Sequence, residues 1–456
     1  MATPSSSTRL RLWLIPLGLC LLGGGAFSLW QWGRAATEAS PQRPFAIVTS
    51  GDTGGWIVPC GCAANQAGGM MRRGTFLTNL GKEKETLFLD AGGAPGGTSA
   101  YHQVKFEAIL RGEKVMGIAA HNLGGPEAAF GPEYLRTVRA SIGIPFVSAN
   151  LRDNQGALVA EPLRLVEKGG KRIAVVGVLS RKYVVDGVRI DEPREAVLQA
   201  TQDRKGQFDL LVVLAYLPED ELRQLARELP EADLVLGGPT GQSIKPEQVG
   251  PTLLAAATNK GKFLLHLEQK QGKRWDGQVV ELGPQFADDA TQQDNLKKYL
   301  AALEQRDFRA QETGFASSSA GQYPKDFLVA GTETCLACHQ EDCKQWHGSK
   351  HGHAWETLQT RGFHVDSYCQ QCHTTGYGLP GGFVSRTESP RRQAVGCESC
   401  HGPSLAHVRD PKQRTPFVAR DQCLRCHDAE NSPTFDYQTY WERIVHGKSP
   451  AKATAK

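Results

Sequence analysis

From residue 44 to about residue 310, short apolar runs alternate with segments whose apolar positions recur at the three-to-four-residue spacing of a helix. Phe45 to Thr49, Thr86 to Asp90, Pro145 to Ala149, Arg172 to Leu179, Leu210 to Ala215 and Leu234 to Leu236 are too short for helices and read as buried strands. Segments 103–111, 219–229 and 287–308 carry the helical spacing. Such alternation predicts one α/β domain of mixed sheets flanked by helices over 44–310, a length sufficient for a core of its own. Many of the strands end in Gly or Asp, where α/β folds place their sites.

The pattern then changes. Residues 311–330, with a Ser-rich patch and Pro324, read as a linker, and 448–456 as a tail. Between them, 331–447 has few long apolar runs and much Gly, His, Gln and Arg, so it could not bury an ordinary core. Nine of the twelve cysteines lie between Cys335 and Cys426, and eight of the nine fall into four copies of one pattern. These are Cys335-Leu-Ala-Cys338-His339, Cys369-Gln-Gln-Cys372-His373, Cys397-Glu-Ser-Cys400-His401 and Cys423-Leu-Arg-Cys426-His427. Each is a CxxCH site for covalent attachment of a c-type haem. Two thiols three residues apart on a tight turn can bond the vinyl groups of one porphyrin, and the next His reaches the iron. A redox CxxC or half a zinc site explains the thiols but not a His in fifth place in every copy. Four haems also supply the missing apolar surface, so this domain is expected to be small, mainly helical and unfolded without them.

Ten of the thirteen histidines lie in this domain. Four are the motif ligands, leaving His347, His351, His353, His364, His407 and His446 as candidates for the far side of each iron. That number allows four irons with two His each, which suits electron transfer; an iron with one His would have room for a small molecule. Cys343 has no place in the attachment pattern and reads as a plain thiol.

Over roughly 325–447 the sequence resembles the tetrahaem cytochromes similar to cytochrome c554. The likeness is carried by Trp346-His-Gly-Ser-Lys-His351-Gly-His-Ala, Cys372-His373-Thr-Thr-Gly-Tyr-Gly, Gly396-Cys-Glu-Ser-Cys-His-Gly-Pro-Ser-Leu-Ala-His407 and Tyr440-Trp-Glu-Arg-Ile-Val-His446. The resemblance implies that His351, His407 and His446 are distal iron ligands. It leaves open whether His353 or His364 completes the fourth iron.

Arg9 and Arg11 precede a charge-free apolar stretch from about Leu12 to Trp32, long enough to cross a bilayer. Residues 1–36 therefore read as a membrane anchor or a cleaved signal peptide, with the basic flank inside and everything after Ala35 exported. This places the bulk of the chain on the periplasmic side, where covalent haem attachment requires it. The net charge of +4 argues against a nucleic-acid partner.

The middle region, roughly 44–285, resembles the calcineurin-like metallophosphoesterases, in the branch of periplasmic 5′-nucleotidases and thiosulfohydrolases. Ser50-Gly-Asp52-Thr-Gly-Gly, Gly68-Gly-Met-Met-Arg72-Arg73, Leu87-Phe-Leu-Asp90-Ala-Gly-Gly, Pro145-Phe-Val-Ser-Ala-Asn150 and Asp233-Leu-Val-Leu-Gly-Gly238 carry it. The resemblance implies a phosphoesterase-like sandwich with two divalent metals, yet the family's ligand positions are largely lost. Gly54 and Gly93 stand where it has His and Asp, the Gly-Asn-His-Glu segment is matched to Ala129-Phe-Gly-Pro-Glu133, and later His positions fall on Tyr216, Pro239 and Gly241. Asp52, even with Asp90 and Asn150, cannot hold two metals, so phosphoesterase activity is not expected. Pro59-Cys60-Gly-Cys62 is too tight for an easy disulfide; with Asp52 or His121 its thiols are candidate ligands for a soft metal, or a redox pair feeding the haems. Two functions follow: electron transfer between redox partner proteins, with the α/β domain docking the partner, or a redox enzyme acting on a small nitrogen or sulfur compound at an open haem or at Cys60/Cys62.

Overall fold

A computed structural model describes residues 43–59, 66–270, 274–316, 323, 327–416 and 418–447. The strands are β1 (Phe45–Ser50), β2 (Glu85–Asp90), β3 (Ala120–Asn122), β4 (Phe146–Val147), β5 (Leu151–Asp153), β6 (Leu163–Lys168), β7 (Lys171–Leu179), β8 (Val188–Ile190), β9 (Leu210–Tyr216), β10 (Leu234–Gly238), β11 (Ile244–Val249), β12 (Thr252–Ala256), β13 (Phe263–Gln269) and β14 (Trp275–Glu281). One sheet has the order β14-β13-β1-β2-β3-β4, parallel from β1 to β4 and antiparallel at β13 and β14. The second runs β11-β12-β10-β9-β7-β6, parallel through β12, β10, β9 and β7 with antiparallel edges. β5 and β8 form a separate antiparallel pair.

The two sheets pack face to face. Ile47, Leu87 and Leu89 of the first meet Val175, Val212 and Leu236 of the second in one apolar layer. On the outer faces lie the helices α1 (Met70–Glu83), α2 (Ala100–Val115), α3 (Gly125–Ala128), α4 (Pro132–Val138), α5 (Pro193–Gln202), α6 (Glu219–Glu228) and α7 (Ala290–Arg306). Ala46 and Val48 of β1 pack outward with Phe76, Val104 and Leu303 of α1, α2 and α7, and Leu211 and Val213 of β9 pack outward with Val197 and Leu222 of α5 and α6. Each central strand thus alternates between two buried layers, which is why β9 reads as the unbroken run Leu-Leu-Val-Val-Leu-Ala-Tyr. Burying each such side chain stabilises the fold by about 1.5–3 kcal/mol.

All six expected strands and all three expected helices are present. Helix α2 extends the expected 103–111 back to a Ser99 cap and on to Val115, and α7 starts at an Asp289 cap whose side chain accepts from Gln292 N. β3, β5, β6, β8, β11 to β14, α1 and α3 to α5 add to the expected elements.

The C-terminal segment holds short helices, with no strand among its described residues: α8 (Thr332–Cys335), α9 (Gln340–His347), α10 (Ala354–Arg361), α11 (Ser367–His373), α12 (Cys397–His401), α13 (Leu405–Arg409), α14 (Ala419–Leu424) and α15 (Tyr437–Trp441). Its small core gathers Trp355, Leu358, Tyr377 and Phe383 with Ala310 and Ala316. The first residues of the expected linker are therefore buried against this segment, and the described residues form one compact unit. No helix among the described residues is long and apolar enough to cross a membrane; the expected anchor at 1–36 and the tail at 448–456 lie outside them.

Candidate haem-attachment sites and the strand-end site

Each CxxCH motif occupies about one helical turn. His339 N donates to Cys335 O (2.9 Å) and His427 N to Cys423 O (2.8 Å), so both thiols of a motif project from one turn with the His following. α8 packs on α12, and α12 on α14. The thiols of Cys335 and Cys397 lie beside one another, as do those of Cys426 and Cys372, so the motifs neighbour one another in the order first, third, fourth, second.

The histidines pair across motifs. The ring centroids of His339 and His407 are 6.4 Å apart, those of His427 and His351 6.2 Å, and those of His401 and His446 5.8 Å. A metal–imidazole bond of about 2 Å on each side of an iron puts two ring centroids roughly 6 Å apart. Each pair therefore joins a motif His to one from outside the motifs at the spacing of an iron between them. The Nδ1 atoms fit as well. His339 faces Asp342 Oδ2 (3.3 Å), His373 Ala354 O (2.8 Å), His427 Ser432 Oγ (3.2 Å), His407 Gln413 O (3.1 Å) and His446 Ile444 O (2.8 Å), which leaves Nε2 for a metal. Leu336, Val408, Leu424 and Val445, large apolar side chains exposed to solvent, lie inside a motif or beside His407 and His446, where a porphyrin would cover them. Residues and spacing thus fit haem.

His373 differs from the other motif histidines. Among the described ring contacts no histidine lies opposite it: His353 stacks on His347 (6.1 Å) and His364 sits edge-on to Trp355 (6.0 Å). Burial lowers the pKa of His373, His351 and His401, which favours their neutral, metal-binding form. Cys343 is buried, and burial raises its thiol pKa.

In the α/β part, the carboxyl ends of β1, β2, β3 and β9 converge on Asp52, Asp90, Glu127 and Tyr216. Asp52 adopts φ 50°; its Oδ2 accepts from Thr258 Oγ1 (2.6 Å) and Asn259 N (3.0 Å), and burial raises its pKa. The Gly-Pro-Glu that leaves the end of β3 is Gly125-Pro126-Glu127, not residues 131–133, which start α4 one helix later. Glu127 accepts from Gly93 N (3.1 Å), Ala94 N (2.7 Å) and Gly124 N (3.0 Å). Tyr216 fills the space beside Gly93 and Gly124: a Cβ at Gly93 would sit 2.6 Å from its ring, and one at Gly124 2.7 Å. Tyr183 packs on Tyr216 (5.2 Å) and closes over Gly125. Asn150 is fully engaged with the backbone of Leu179 and Asp191.

Beneath this lies a buried charge cluster that the sequence did not reveal. Asp90, Glu113 and His121 bring their ligand atoms within 4.8 Å of one another. Their cation is part of the chain. Arg73 places Nη1 3.5 Å from Glu113 Oε1 and 4.0 Å from Asp90 Oδ2, and donates from Nη2 to Thr53 Oγ1 (2.9 Å). His121 Nδ1 meets Glu113 Oε2 (2.7 Å) and its Nε2 lies 3.4 Å from Glu127 Oε1. Burial pulls the His121 pKa down, but Glu113, Glu127 and Asp90 outweigh it and hold the ring's pKa well above its ordinary value. Burial pushes Glu113 up to about 7 against the pull of His121. Two missing side chains, a tyrosine in the cavity and an internal guanidinium do not fit a dinuclear metal centre. Cys60 and Cys62 lie outside the described residues, and His121 is engaged with Glu113.

Residues 334–402 match the family model for cytochrome c554 and c-prime. That match implies covalently bound c-type haem and electron transfer. Cytochrome c-554 of Nitrosomonas europaea is 29% identical over 155 residues, covering 26% of this chain and 66% of that protein. The apyrase of Aedes albopictus is 25% identical over 275 residues, covering 51% and 47%. Among solved structures, the sulfate thiohydrolase SoxB of Thermus thermophilus aligns at a TM-score of 0.51 and 17% identity over 59% of this chain and 62% of its own. The chain thus spans less than two thirds of each. The fold of the α/β part is that of the 5′-nucleotidase-like metallophosphoesterases.

Proposed function

We propose that the chain is an exported multihaem c-type cytochrome that transfers electrons between redox partner proteins, built on a phosphoesterase scaffold without hydrolytic metals. The observation that carries this is the pairing of His339, His427 and His401 with His407, His351 and His446 at 5.8–6.4 Å. Four haems would be held at the four CxxCH motifs within 331–447, each supplying a one-electron redox centre when bound. Three irons would have His on both faces and no place for a substrate, as electron transfer requires.

The domain boundaries proposed are a scaffold at 44–310, a joining stretch at 311–330 and the haem domain at 331–447. The apolar segment in 1–36 would tether the protein to the cytoplasmic membrane or be cleaved to release it into the periplasm. Asp366, Tyr368 and Glu430 of the same chain contact Tyr101, Trp56 and Lys260 of the scaffold, so a partner would dock elsewhere on it or on the haem side. A soft metal or redox pair at Cys60 and Cys62 stays part of the proposal; metal analysis of C60S/C62S against the parent decides it, and equal metal content removes it.

His373 favours a second reading, in which its iron binds a small nitrogen or sulfur compound. The test is the spectrum of the reduced holoprotein with and without carbon monoxide. One responding haem in four is expected. Four unresponsive haems remove the small-molecule reading, and four responsive ones remove the pairing.

A further inference from the structure

The helix that carries Cys369, Cys372 and His373 is held differently from the other three that carry attachment cysteines. α8, α12 and α14 start at Gly331, Gly396 and Val418 without a side-chain cap, whereas α11 starts at Asp366, whose side chain accepts from Tyr368 N (2.9 Å). Two further donors reach the same carboxylate from the α/β part. Tyr101 OH of α2 donates to Oδ1 (2.6 Å) and Tyr299 OH of α7 to Oδ2 (3.1 Å). Both phenols are buried, at 0% and 1% exposed, and Asp366 is 5% exposed. Lys105 Nζ donates to Tyr101 OH in turn (3.0 Å).

We propose that Tyr101 and Tyr299 are positioning residues for the haem attached at Cys369 and Cys372: they fix the Asp366 carboxylate at the start of α11, and that carboxylate sets this haem's reduction potential. The proposal rests on attachment of a haem there, as argued above. A cap alone needs one acceptor for one backbone N–H. Two buried phenols from separate helices exceed that need, and the carboxylate they hold stands at the start of the helix that carries Cys369 and Cys372, where its charge would act on the iron bound there. In a poorly solvated setting such a charge favours the oxidised, more positive iron. Burial and the Asp366 charge also raise the pKa of both phenols, which keeps them as donors.

The test uses the full-length holoprotein, with haem counted as its pyridine adduct and the four couples resolved by spectroelectrochemical titration. D366N keeps a good cap and removes the charge. It is expected to move one couple towards the reduced form about tenfold, ~59 mV for a one-electron couple, and to leave three in place. Y101F/Y299F is expected to move the same couple and no other. Four unmoved couples in D366N with four haems attached would overturn the proposal, since a purely structural cap survives that change. A parent with no haem at the second motif overturns the attachment reading instead. Should D366N itself lose haem, Y299F decides, because it keeps ring, cap and charge: an unmoved couple there also overturns the proposal.

Discussion

Arg73 should be the most sensitive single position in the α/β part. Its guanidinium is 0% exposed and lies within 4.0 Å of both Asp90 and Glu113, themselves 0% exposed. Arg73→Met preserves most of the volume and removes the charge, so the carboxylates lose their strongest fixed counter-ion. Breaking a buried pair by deleting one partner costs about 3–5 kcal/mol. For a domain of this size each kcal/mol lowers Tm by about 2–4 °C, so a fall of roughly 6–20 °C is expected by calorimetry. Adding Asp90→Asn should restore part of that loss, because the uncompensated carboxylate goes with it. If Arg73 stands in for lost metals, manganese should raise the Tm of R73M more than that of the parent, and the parent should show no manganese-dependent phosphatase turnover. A Tm within about 1 °C of the parent would refute the buried-pair argument, and robust parent turnover would refute the loss of the metal centre.

Two further outcomes follow from the same geometry. Glu113 is raised from 4.5 to about 7, so between those pH values the folded state holds a proton that the unfolded state releases, and stability must fall as pH rises through that window. The raised His121 has the same sign above its ordinary pKa, so E113Q should remove up to about 3 kcal/mol of the stability lost between pH 4.5 and 7, read from urea titrations; an unchanged loss sinks the assignment. His446→Ala strips the ring opposite His401 and should add one carbon-monoxide-responsive haem to the reduced spectrum, whereas an unaltered difference spectrum would mean that His446 is no ligand.

The central strands were legible because each buries both faces, and an unbroken apolar run such as Leu210 to Ala215 has no competing assignment between Gly and Asp boundaries. β13 failed to announce itself because His266, Glu268 and Gln269 interrupt its apolar face where it nears the sheet's edge at β14. α1 was hidden by its opening, Gly68-Gly69 followed by Arg72-Arg73, which reads as a loop until Arg73 is seen turned inward. The four CxxCH motifs were legible from local spacing, since a covalent site must be contiguous in sequence, and resemblance singled out His351, His407 and His446, whose rings lie 5.8–6.4 Å from motif histidines.

What a linear reading cannot supply is the meeting of distant positions, and the buried cluster and the seam to the haem segment are both of that kind. Arg73, Asp90, Glu113 and His121 come from four separate elements, and each taken alone is an ordinary polar residue. At the seam, Trp56 lies 5.3 Å from Tyr368 beside the second attachment motif, Lys260 pairs with Glu430 just past the fourth, and Gln66 donates to Glu430 O. Trp56 follows β1 and Lys260 follows β12, so loops at the carboxyl ends of these strands meet the chain beside two attachment motifs of its own. Within the α/β part, Tyr216 fills the space beside Gly93 and Gly124 and Arg73 supplies the internal cation, while Trp56, Lys260 and Gln66 meet the C-terminal segment.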